Sequence, residues 1–262
     1  MINKRIVRGN RPLILVTNDD GINAKGISSL TDYLLPLGDV VVVAPDSARS
    51  GQSAAITVSA PLRVAQVEER EGYMSFKTTG TPVDCIKLAL NVLFEDRPDL
   101  IVSGINHGSN SGVSVVYSGT MGAVFEGIIH GIPSIGFSLC NFSPDANFEI
   151  CRPVVEMLCR RSLDNPLPEG MGLNVNIPAV DEIAGVRVCR AARGKWVSEY
   201  DSRIDPFGRP YHWLTGYFEN AEPDAEDTDE YNLERKYISV VPVTPDHSLT
   251  GIDLRITEWM QE

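Results

Sequence analysis

Leu13-Ile14-Leu15-Val16-Thr17-Asn18-Asp19-Asp20-Gly21 opens on five residues without a charge and ends on paired carboxylates ahead of a glycine. A near-continuous apolar run of this length reads as a strand covered on both faces, the habit of parallel sheets. Val40–Ala44, Leu100–Ser103 and Ile132–Phe137 share that texture. Helical patterns lie between them. Ile27, Leu30 and Leu34 follow i, i+3, i+7 spacing, and Val83, Ile86, Leu90 and Leu93 do so after Thr81-Pro82, with Thr81 suited to cap and Pro82 to the first turn. A third helix is expected from Thr120 to His130, stopped by Gly131, and a fourth over Phe148–Arg161 despite Pro153. Strand and helix in alternation predict an α/β fold with a doubly wound, mostly parallel sheet.

Beyond Leu173 the texture changes. LNVNIP (173–178) and VRVCR (186–190) read as short strands, and residues 194–218, centred on Pro206-Phe207-Gly208-Arg209-Pro210, read as a long β-hairpin arm. Residues 219–235 are the most acidic stretch and read as a solvated loop before the apolar run Tyr237–Val243. The expected organisation is a core over 1–192 and a C-terminal extension over 193–262. The extension carries the arm, used for self-association, and returns to the core.

The chain's 262 residues suffice for one large α/β domain. Its net charge of −12, from 23 Lys and Arg against 35 Asp and Glu, disfavours binding a nucleic-acid polymer or an anionic membrane through a basic surface. The apolar run near the start is too short for a signal-peptide core and no run elsewhere is long enough to span a membrane, so a cytoplasmic protein is expected. Five cysteines without CxxC spacing suit buried reduced thiols.

Ligands of open α/β sheets bind beyond the carboxyl ends of the strands, where Asp19 and Asp20 fall. Two adjacent carboxylates repel unless a proton, water or a hard cation intervenes. The plainer alternative is that Asp20 forms a turn while Asp19 faces solvent. Two other strand ends favour the cation: Val43-Ala44-Pro45-Asp46 runs into a hydroxyl-rich loop holding Ser50, and Ser103-Gly104-Ile105-Asn106 offers an amide oxygen. Such an all-oxygen set, open to water and phosphate, suits magnesium or manganese. Ser118-Gly119-Thr120 leads into a helix, so its N–H groups can meet an anion or merely be capped. His107 and His247 are candidates to act on a leaving group. No GxGxxG, GxxxxGK[ST], HExxH or GxSxG occurs.

ILVTNDDGINAKGI (14–27), VVVAPDSARSGQS (41–53), TTGTPVDCIKLAL (78–90), DLIVSGINHGSNSG (99–112) and YSGTMGAVFEG (117–127) together resemble the survival protein E (SurE) nucleotidase family. YHWLTGYF (211–218), TDEY (228–231) and YISVVPVT (237–244) extend the likeness more loosely. The resemblance implies a Rossmann-like three-layer core with a swapped C-terminal arm, hence a homodimer or homotetramer. It also implies a phosphatase of nucleoside 5′- and 3′-monophosphates, sometimes of short polyphosphate, using one divalent cation per subunit. It maps the metal ligands onto Asp19, Asp20, Ser50 and Asn106 and the phosphate loop onto Ser118, Gly119 and Thr120. Asn18 joins that loop as a phosphate-binding candidate, the turn at Gly80-Thr81-Pro82 lies near the site, and Asp229 matches an element that can approach it from the arm. His107 and Ser109 depart from residues common in relatives, which touches leaving-group contacts and base preference. A nucleotide-binding regulatory module without catalysis, and an assembly protein working through its arm, are the alternative functions; metal-dependent turnover separates the first from the enzyme.

Overall fold

The computed structural model describes residues 6–248 and 259–260. In chain order the elements are β1 (Leu13–Thr17), α1 (Lys25–Leu34), β2 (Asp39–Pro45), β3 (Val64–Arg70), β4 (Tyr73–Thr78), α2 (Pro82–Leu88), β5 (Leu100–His107), α3 (Gly119–Ile129), β6 (Ser134–Leu139), α4 (Arg152–Asp164) and β7 (Gly172–Ile177). There follow β8 (Gly185–Val188), β9 (Gly194–Val197), β10 (Tyr200–Ile204), β11 (Pro210–Leu214), β12 (Tyr217–Asn220), α5 (Asp229–Glu234) and β13 (Tyr237–Val243).

Nine strands form one sheet in the order β3-β4-β2-β1-β5-β6-β7-β13-β8. Its six central strands, β4 to β7 in that order, are all parallel, while β3 and β13 run antiparallel to β4 and β7. Period-two alternation sends successive β1 side chains to opposite faces. Ile14 and Val16 join the core under α1 and α4, and Leu13 and Leu15 join the core under α2, with Ala123 of α3. Helices thus cover both faces of a mostly parallel sheet, the expected three-layer α/β architecture. The chain steps from β1 to β2 on one side and later to β5 on the other, which makes the end of β1 the topological switch point.

Local signals hold in detail. Thr81 and Asp84 form a reciprocal capping box with Pro82 in the first turn of α2, and Gly131 ends α3 at φ +66°. Pro153 does not interrupt α4, because a 3₁₀ turn over Phe148–Cys151 precedes it and the proline falls in the first helical turn. Two strands go unanticipated, β3 and β4: β3 is an exposed edge and β4 only half buried, so neither shows a long apolar run. The solvated-loop reading of 219–235 is corrected for its second half, where Thr228 caps α5 and both Thr228 and Asp229 are fully buried. Among the described residues no helix is long and apolar enough to cross a membrane, and all five cysteines are free thiols.

The arm is a two-stage ribbon: β9 pairs with β12 at its base and β10 with β11 at its tip. Its base is closed, since Ala221 N–H donates to the Arg193 carbonyl at 2.9 Å.

Candidate active site

The carboxyl ends of β1, β2 and β5 meet one side of a cleft of about 430 Å³. Asp19 leaves β1 buried, at 4% exposure, which rules out the reading in which it faces solvent. Burial pushes its carboxyl up to about 6, opposed by a 2.6 Å hydrogen bond from Thr120 Oγ1 and reinforced by the neighbouring Asp20 charge. Asp20 is half-buried, its carboxyl is also raised by burial, and it accepts weakly from His107 N–H at 3.4 Å. Ser50 and Asn106 line the same cleft. The Asn106 amide NH₂ donates to the His107 and Gly108 carbonyls, which leaves its own oxygen as the group available to a ligand.

The loop carrying Ser50 is held from three sides. Arg49 N–H donates to the Asp19 carbonyl at 2.6 Å, Ser53 bonds the Tyr117 and Val116 carbonyls, and Thr57 bonds Asp84 through N–H and hydroxyl. Helix α3 approaches from the far side. Ser118 caps it by accepting from Met121 N–H and also lines the cleft. The N–H groups of Gly119 and Thr120 lie in its first turn, where no earlier helical carbonyl takes them. Position 119 has to be glycine for this approach, because a Cβ there would lie 2.8 Å from the Asp19 Cβ.

Four oxygen donors of three kinds therefore come from three loops to one cleft or its edge. Two carboxylates raised by burial, an amide oxygen and an exposed hydroxyl are a donor set that a hard divalent cation fits.

Other expected residues fall elsewhere. Asn18 is fully buried, and its amide clasps Gly21 through both groups, so it shapes the turn after β1 instead of reaching a phosphate. Thr120 turns its hydroxyl to Asp19, so only its N–H remains for an anion. Asp229 does not reach the cleft. Its carboxylate accepts from Gly112, Ala192 and Glu230 N–H, each at 2.8 Å, and staples the loop before α3 to the base of the arm. His247 is exposed beyond Val243, which pairs with Gly172 at the start of β7, so within this chain it lies at the opposite end of the sheet. His107 does line the cleft, packing edge-on against Phe148 at 4.9 Å between ring centroids.

Sequence reasoning missed the outer wall: Phe142 beyond β6, and Trp196, Glu199, Leu214 and Thr215 from the arm. Phe142 is a loop aromatic with no periodic role, a faint signal; the arm residues carry none, since only the fold folds the ribbon's base back over the crevice.

A three-layer α/β sheet whose switch point gathers paired carboxylates and a helix N-terminus defines the class: a Rossmann-like protein with a crevice suited to an anionic ligand and a hard cation. The family model described as Survival protein SurE matches residues 14–198, and the chain belongs to that family. A Bacteroides thetaiotaomicron protein called 5′-nucleotidase SurE is 47% identical, covering 98% of this chain and 99% of its own length. A Christiangramia forsetii protein of the same name is 51% identical over 95% of this chain and 97% of its own. The crystal structure of the Aquifex aeolicus SurE protein superposes with a TM-score of 0.79 at 35% identity, over 96% of this chain and 100% of that one.

Proposed function

We propose that this protein is a 5′-nucleotidase: a divalent-metal-dependent phosphomonoesterase that releases phosphate from nucleoside 5′-monophosphates, with 3′-monophosphates and short polyphosphate as further substrates. The observation that carries it is the convergence of Asp19, Ser50 and Asn106 on the cleft that Ser118 at the N-terminus of α3 also lines, with Asp20 next to Asp19 and bonded to the cleft residue His107. The names of relatives identical at about half of the aligned positions support the substrate class.

Asp19, Asp20, Ser50 and Asn106 would hold one Mg²⁺ or Mn²⁺ per subunit. When bound, such an ion neutralises phosphate charge and lowers the pKa of a water. The rest is positioning and charge. The N–H groups of Gly119 and Thr120 and the Ser118 hydroxyl receive phosphate oxygens at the positive end of α3, fixed before substrate arrives. Thr120, donating to Asp19, keeps one carboxylate oxygen engaged and so orients the other. His107 lines the cleft and is the candidate proton donor to a leaving 5′-oxygen. The exposed apolar side chains of the arm, among them Ile204, Phe207 and Trp213, support its use in a homodimer or homotetramer.

The test is phosphate release from 5′- and 3′-nucleoside monophosphates and short polyphosphate, each with EDTA, Mg²⁺ or Mn²⁺, for wild type and Asp19→Asn. Metal-dependent release absent from the variant is expected. Release indifferent to EDTA would overturn the metal site, and none from any substrate would favour a binding module.

A further inference from the structure

The cleft has two unlike halves. The inner half, beside the strand ends, holds Asp19, Ser50 and Asn106 with Ser118 at the start of α3, while Phe142 and the arm residues Trp196 and Leu214 make the outer half apolar and aromatic. Phe142 is 79% exposed, yet its ring lies directly on the backbone of Gly108, where a Cβ would come within 2.1 Å of Cε1. The glycine makes room for the ring, which lines the cleft and stays largely open to it. Trp196, half-buried, and Leu214, 70% exposed, face the same space from the arm. Large apolar side chains left open inside a concave site mark a place for a flat apolar ligand.

One charged side chain interrupts this wall. Glu199 lines the cleft from the turn between β9 and β10, and its carboxylate makes no ion pair with any described residue. In a chain of net charge −12, a carboxylate beside an anionic substrate opposes binding unless the substrate offers it donors.

We propose that the outer half is a nucleobase subsite in which Phe142 and Trp196 stack on the base and Glu199 selects guanine. Guanine presents N1–H and its 2-amino group side by side, and a carboxylate accepts from both at once. Adenine sets an acceptor beside its amine, uracil flanks its single N–H with carbonyls, and hypoxanthine keeps N1–H but lacks the amine. The order of preference is therefore GMP, then IMP, then AMP and UMP. This deepens the nucleotidase reading and rests on it.

The experiment measures kcat/KM of the full chain with Mg²⁺ for GMP, IMP, AMP and ribose 5-phosphate, which has the phosphate but no base. Wild type is expected to favour GMP over AMP by about ten-fold, the scale of one good bidentate contact. Glu199→Gln is expected to remove that ratio while ribose 5-phosphate stays within about two-fold. Phe142→Ala is expected to raise KM for GMP and AMP alike by roughly ten-fold, the scale of one lost base stack, without changing ribose 5-phosphate. In metal-free protein, guanosine should quench tryptophan fluorescence more strongly than adenosine, and Glu199→Gln should erase the difference. A GMP to AMP ratio near one, or one unmoved by Glu199→Gln, overturns the subsite while ribose 5-phosphate hydrolysis still stands. Failure of all four substrates overturns the phosphatase reading and this inference with it, unlike the first result.

Discussion

Thr120 and Asp19 are 101 residues apart in sequence and are joined by a 2.6 Å hydrogen bond with both residues buried. The bond ties the end of β1 to the first turn of α3, so the side chain expected to hold a cation and the N–H groups expected to hold a phosphate form one rigid unit. Thr120→Val keeps the shape and removes the donor, leaving a buried carboxylate oxygen without its partner. Unfolding in urea is expected to show a loss of about 1–3 kcal/mol, with kcat falling more than KM rises, and Thr120→Ser should restore most of both.

Asp19→Asn should separate stability from function. The native carboxyl is destabilised by burial and by Asp20, so the neutral amide is expected to raise the melting temperature of metal-free protein at pH 7.5 by roughly 3–6 °C while phosphate release disappears. A lower melting temperature would show that the burial penalty is offset by contacts the amide cannot make.

Asp84 works in the opposite sense. Burial raises its carboxyl, but hydrogen bonds from Thr57 and Thr81 outweigh that and hold it below the usual carboxylate value. A folded value below the unfolded one gives stability that is full above the unfolded pKa and is lost as pH falls through the folded value. Asp84→Asn is expected to cost about 1–2 kcal/mol at pH 7, a gap that closes below about pH 4. Denaturant midpoints across that range measure it. The same variant frees Thr57 and should raise KM through the loop that carries Ser50.

Asp229→Ala removes the acceptor shared by Gly112 and Ala192 and leaves two buried N–H groups unpaired. Limited proteolysis is expected to cut within 193–220 faster than in wild type, and folding stability to fall by about 2–4 kcal/mol. Equal cleavage rates would mean that Arg190, paired with Glu222 and Asp227, holds the base of the arm alone.

Joining Arg193 directly to Ala221 excises the ribbon at a point where the two strands already touch. The shortened chain is expected to fold, to sediment as a monomer and to keep ribose 5-phosphate hydrolysis. An unfolded product would show that the boundary between core and extension is drawn in the wrong place.

How far the residues foretell all this depends on the range of the interaction. Thr81-Pro82 and Gly131 act within one turn, and the cap and stop they announce are present. The continuous apolar runs of β1, β2, β5 and β6 are dictated by burial on both faces, so they are legible without knowing the neighbours. The exposed edge strand β3 carries no such mark. Asp19 and Asp20 stand out because two adjacent carboxylates after a strand need a reason. Asp229 is marked only by its resemblance to a family element, which suggests the site, and only the structure gives it Gly112 and Ala192 as partners instead. Trp196 and Glu199 reach the cleft through the fold of the arm, which has no local signature.

The insertion of β13 between β7 and β8 bears on how the chain is made. β8 has no other partner in the sheet, and β7 is fully buried, yet both must wait for a strand that lies at the end of the described chain. As the polypeptide emerges from the ribosome, the parallel half can assemble while β7 still offers an open edge to any neighbouring nascent chain. A product cut short before Tyr237 would keep every catalytic candidate in the cleft and still be left with that sticky edge. Cellular proteases would thus meet an aggregation-prone fragment in place of a trimmed enzyme, so β13 guards the sheet against association although it contributes no residue to the cleft.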